Sequence, residues 1–92
     1  MTDRHRQETG DDYRKVVVQL SDELRVVICK DGVQWILQRR KAGGAERPWR
    51  AVRFHRTREG LMRSCALFCS RIDPSALVAL MAMPDVIRGW SG

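Results

Sequence analysis

Hydrophobic positions change period once along this chain, near residue 56. Before it they fall in short runs rich in β-branched residues. "YRKVVVQL" (13–20), "RVVICK" (25–30), "VQWILQRR" (33–40) and "PWRAVRFH" (48–55) each read as a strand. Ser21 and Asp22 supply turn chemistry between the first two. Asp31-Gly32 between the second and third is a strong hairpin signal, since a type I′ turn needs positive φ at both central positions. "KAGGAE" (41–46) is a loop, and Pro48 opens the fourth strand where a missing donor is tolerated. After residue 56, Leu61, Cys65, Phe68 and Ile72 recur at helical spacing. Thr57 is the expected N-cap, with Glu59 favoured in the first turn. Asp73 caps a second helix with Pro74 at its first position, and "SALVALMAM" (75–83) is apolar on every side until Pro84 ends it. Trp90 is expected to fold back onto the core.

This order, β-β-β-β-α-α, predicts an α+β fold: an antiparallel β-meander of three to four strands, packed on one face by two C-terminal helices. Residues 1–13 are expected to form a flexible polar tail and 14–92 a single domain.

A two-residue turn fixes the hairpin register, placing Arg25 opposite Gln38, Val26 opposite Leu37, Val27 opposite Ile36 and Ile28 opposite Trp35. Val26, Ile28, Trp35 and Leu37 then share the core face, under the helical stripe. Arg25, Gln34, Gln38 and Arg40 share the other, around a small Val27–Ile36 patch. With Val52 and Phe54 pointing to the core, Trp49, Ala51, Arg53 and His55 extend this outer face. Two readings of it stand side by side: the solvated side of an antiparallel sheet, or a surface on which arginine forks and glutamine amides read base edges while Trp49 stacks.

Charge weights that choice. Residues 25–63 hold eleven basic and three acidic residues, net +8; residues 1–24 hold four basic and six acidic. A concentrated positive field attracts polyanions, of which nucleic acid is the most abundant in a cell. Arg47, Arg50, Arg56 and Arg58, at the loop and helix start, are expected phosphate contacts. Arg25, Arg40, Arg53 and Trp49, with Gln34, Gln38 and His55, complete the expected interface.

Catalytic signatures are lacking. No spacing places a Ser, Cys or carboxylate beside His55, and Gly43-Gly44 is not followed by the Lys-Ser/Thr of a phosphate loop. Cys65 and Cys69, one turn apart, are expected to be core thiols rather than zinc ligands, and Cys29 leaves an odd count. No enzyme activity, metal or cofactor is expected. With no apolar run of 18 residues and no apolar stretch at the N-terminus, neither a membrane span nor a secretory signal is expected, so the cytoplasm is the expected location. The all-round apolar second helix predicts a homodimer with Leu67, Leu77, Leu80 and Met81 near the contact.

The segments "CKDGVQWILQRR", "RPWRAV" and "RTREGLMR" resemble short, uncharacterised bacterial proteins encoded on mobile elements. The chain also resembles sheet-reading DNA-binding domains of the AP2 and integrase-arm type: Gly32, Val33 and Trp35 match one strand of that family, Trp49 and Ala51 another, and Thr57 with Glu59 its helix start. That resemblance implies DNA reading by Arg39 or Arg40, Trp49 and Arg53. The expected function is a small non-enzymatic nucleic-acid-binding module, DNA ahead of RNA, serving as a regulatory or accessory factor of a mobile element. The rival is a protein-binding inhibitor or adaptor acting on a host complex, anti-CRISPR-like in kind.

Overall fold

The computed structural model describes residues 8–11, 13–42 and 48–87. Four strands, β1 (Val16–Ser21), β2 (Leu24–Ile28), β3 (Trp35–Arg40) and β4 (Trp49–His55), are followed by helices α1 (Arg58–Phe68) and α2 (Pro74–Met81). The sheet is antiparallel in sequence order, β1-β2-β3-β4. The α+β meander expected from the hydrophobic pattern is the observed architecture.

The central hairpin has the register expected of it, with Ile28 opposite Trp35, Val26 opposite Leu37 and Arg25 opposite Gln38. Its turn is looser than two residues. Gly32 N donates to Cys29 O at 2.9 Å, and Gly32 takes φ 74°, a value that glycine adopts without steric cost. Lys30 and Val33 lie in the loop rather than in the strands. The pairing is unchanged because Cys29 N still donates to Gln34 O at 2.9 Å.

The helices form as their caps predict. Thr57 accepts from Gly60 N at the start of α1, and Asp73 accepts from Ser75 N ahead of Pro74 in α2. α1 crosses β3 and β4 while α2 lies over β1. Between helices and sheet sits the main core: Val26, Trp35, Leu37, Leu61, Cys65 and Leu80, all at most 2% exposed. Leu80 is therefore buried inside the protomer. Its expected place at a dimer contact is corrected by the packing of α2, which turns Leu77, Val78 and Met81 outward instead.

The second face of the sheet is covered too. Tyr13, Val27, Cys29 and Ile36 form a separate buried cluster there, flanked by Val16 and Val33. The Tyr13 hydroxyl donates to Ile28 O at 2.7 Å, and burial lifts its pKa to about 12. Of the expected tail, residues 8–11 and 13 pack on this face; residues 1–7 and 12 lie outside the described residues, as does Trp90.

Candidate nucleic-acid interface

Arg25, Gln38 and Trp49 do share the outer face, but it is not open. They are only 2%, 1% and 3% exposed, roofed by Glu8–Asp11. Arg25 Nε donates to Gln38 Oε1 at 2.7 Å, and its Nη2 donates to Glu8 O at 3.0 Å and Gly10 O at 2.8 Å. Gln38 Nε2 donates to Glu8 O at 2.8 Å. Trp49 donates twice, from its backbone to Thr9 O at 3.1 Å and from its indole to Asp11 Oδ1 at 2.8 Å. Arg40 grips both Asp11 oxygens, at 2.6 and 3.1 Å. The guanidinium of Arg25 lies 4.3 Å from the Trp49 ring centroid and that of Arg40 5.4 Å from it. Buried polar groups must be paired, and here the N-terminal segment does the pairing. The open base-reading face expected of Arg25, Gln38 and Trp49 is thus corrected: in this conformation they bind their own chain.

The electrostatics follow from these contacts. Hydrogen bonds from Arg40 and Trp49 hold the Asp11 carboxyl down at about 2, and the same carboxylate raises the Arg40 pKa. Burial pulls Arg25 down to about 10, still charged at neutral pH.

A register shift relocates the second half of β4. Gln38 pairs with Ala51 but Leu37 pairs with Arg53, so Val52 is bulged out of the ladder. A bulge inserts one residue and reverses the facing of everything after it. Phe54, opposite Ile36, therefore lies on the outer side and is 55% exposed, while Arg53 and His55 turn to the helix side. His55 Nε2 meets Ser64 Oγ of α1 at 2.6 Å. Desolvation, then the nearby Arg53 charge, lowers the His55 pKa. The serine that spacing did not place beside His55 is supplied by α1, but Ser64 is buried at 6% exposure, so the pair ties strand to helix.

The Arg53 guanidinium lies 5.0 Å from the ring centroid of Phe68, and that of Arg39, reaching over from β3, lies 5.5 Å from it. Arg50 is the cross-strand partner of Arg39 and is exposed. These three arginines on two neighbouring strands have no ion-pair partner among the described residues. Arg56 is also exposed. Arg58 is committed elsewhere: it donates to Met81 O and Met83 O and pairs with Asp85, clamping the end of α2, so its expected phosphate role is replaced by a structural one. Gln34 is half-buried at the hairpin, and Arg47 lies outside the described residues.

Sequence reasoning missed three participants. Glu8 and Asp11 were assigned to the tail, and Phe68 to the core stripe alone. The acidic excess of residues 1–24 was a signal for the first two; the break in alternation at Ala51-Val52 was the only signal for the bulge that brings Arg53 to Phe68. No family model matches this chain, and neither a curated protein nor a solved structure is found to be similar to it.

Proposed function

We propose that this chain is a small non-enzymatic nucleic-acid-binding module of the cytoplasm, DNA ahead of RNA, acting as a regulatory or accessory factor. The reading is carried by the Arg39–Arg50 pair. Like charges directly opposite on adjacent strands destabilise a sheet, and here they are joined by Arg53 with no carboxylate among the described residues to offset them. Arg39 and Arg53 gain from the Phe68 ring and from lying beside the last residue of α1, where a cation is favoured. Among the described residues Arg50 has no such contact. A polyanion laid along these strands would neutralise all three and release counterions.

Titration of labelled duplex DNA, single-stranded DNA and RNA at two salt concentrations tests this. Duplex should bind best, and Arg50→Ala should weaken binding on every sequence alike and reduce the salt slope by about one. No binding to any of them below roughly 100 µM at moderate salt would overturn the proposal.

The rival, a protein-binding inhibitor or adaptor, is favoured by one observation. Leu77, Val78 and Met81 of α2 are 38%, 67% and 59% exposed, and Leu67 of α1 is 78% exposed. α2 carries no charged residue, and contiguous exposed apolar surface marks association sites. A pull-down from host lysate in the presence of nuclease tests the rival, and sedimentation at high micromolar concentration shows whether a second copy of the chain covers the patch instead.

A further inference from the structure

The contacts between Glu8–Asp11 and the sheet have a single polarity. Among the described residues, every hydrogen bond across that boundary has its donor on the sheet or its central hairpin loop and its acceptor on the segment. Arg25, Gln38, Arg40, the Trp49 indole and the backbone N–H groups of Lys30 and Trp49 give. The carbonyls of Glu8, Thr9 and Gly10 and the carboxylates of Glu8 and Asp11 receive. Such a floor, two guanidiniums against one indole ring, fits a ligand that offers only acceptors and negative charge. A nucleic-acid backbone is that kind of ligand.

We infer that the sheet face beneath Glu8–Asp11 is a second nucleic-acid contact surface, occupied in the free protein by that segment as a stand-in for the phosphodiester chain. This rests on the proposed function for the class of ligand. A long polyanion fits better than an acidic peptide because of where the floor ends. Arg39 and Arg40 are consecutive in β3 and point to opposite faces. They carry the positive surface from the Arg39–Arg50–Arg53 cluster round the strand end to the floor, and a strand of phosphates bound at the cluster is long enough to follow it. Displacement has a definite cost, because the segment is tethered and competes at the effective concentration of an intramolecular ligand. Binding through the floor is therefore held back until a polyanion already engaged at the cluster replaces the segment.

The test uses the full chain with a charge reversal in the segment and a matched reversal elsewhere. Asp11→Lys loses the Arg40 and Trp49 contacts and places a cation against them. Asp22→Lys makes the same change in net charge at the exposed turn between β1 and β2. Duplex DNA should bind Asp11→Lys at least about tenfold more tightly than wild type and Asp22→Lys no more than about threefold, the general electrostatic share. Arg25→Met introduced into Asp11→Lys should remove most of the gain. Asp11→Asn, a gentler change, should gain about threefold and keeps the test open if Asp11→Lys does not fold. In wild type, saturating duplex should shift the Trp49 indole N–H resonance as its bond to Asp11 is lost. Equal affinities for Asp11→Lys and Asp22→Lys would overturn the inference and leave the proposed function standing. A wild type that binds nothing while Asp11→Lys binds duplex would support the inference and move the site away from Arg50. Asp11→Lys that binds a polyglutamate peptide but no duplex would overturn the choice of ligand.

Discussion

Replacing Arg25 with methionine keeps a long flexible side chain but removes the guanidinium that joins the sheet to Glu8–Asp11. Three hydrogen bonds vanish: one to Gln38 Oε1 and two to the carbonyls of Glu8 and Gly10. Bonds to a charged group contribute roughly 1.5–3 kcal/mol each, and a buried acceptor left unpaired costs about 1–3 kcal/mol. The full sum is not reached, for two reasons. Burial of Arg25 is itself costly, because it strips water from the charged guanidinium and lowers its pKa, so the substitution also relieves desolvation. The segment can also lift and let water reach the stranded carbonyls, so the loss cannot exceed the energy with which it docks. About 2–4 kcal/mol is expected, at or below the roughly 3–5 kcal/mol that follows when one partner of a buried ion pair is removed. Urea unfolding of wild type, Arg25→Met, Gln38→Leu and the double variant measures it. The Arg25–Gln38 coupling should be at least about 0.5 kcal/mol, as for residues in one network. A loss below about 1 kcal/mol with additive singles would refute the reasoning, because the guanidinium would then do no more than repay its own burial.

Two further outcomes are expected. In a helix, Gly→Ala is ordinarily favourable by up to about 1 kcal/mol, but a Cβ at Gly60 would come within 3.0 Å of His55 Nδ1 and 3.1 Å of Thr57 Oγ1; Gly60→Ala should therefore lower stability by about 0.5–2 kcal/mol, and Ser64→Ala, which frees the ring to swing, should recover part of that in chemical denaturation. His55, desolvated against α1 where it meets Ser64 and near the Arg53 charge, has a lowered pKa, so the unfolded chain binds the proton more readily; stability from this site is full above the unfolded value of about 6.5 and declines as pH falls below it towards the folded value, a dependence that melting curves at pH 5 to 8 should show in wild type and not in His55→Asn.

The strand order, the central register and both helix caps were legible because each rests on short-range rules: alternation, Asp31-Gly32, Thr57 and Asp73 with Pro74. The turn at Gly32 shows why register is more robust than turn type. The loop that joins Cys29 to Gln34 is not the two-residue turn expected, yet the hydrophobic alternation on either side still holds Val26 opposite Leu37. The bulge at Val52 was missed because no glycine or proline marks it; its one trace in the sequence is the pair of consecutive apolar residues Ala51-Val52, where the alternation of Trp49–His55 changes phase. One inserted residue was enough to send Arg53 and His55 to the helix side and Phe54 out.

The outer face failed as an open surface for a different reason. A cationic sheet face is incompletely described until the acidic segments of the same chain are placed. Residues 1–24 carry an acidic excess and the strands a basic one, and a tether makes their meeting intramolecular, at an effective concentration that outside ligands rarely reach. Arg25, Gln38 and Trp49 are the residues whose donors a short acidic segment can satisfy, and they are buried. Arg39, Arg50 and Arg53 lie on the opposite face, beyond the reach of Glu8 and Asp11 across the sheet. The arginines with no carboxylate partner among the described residues are the ones left to bind something else, and for this reason the nucleic-acid reading starts from the helix side of the sheet.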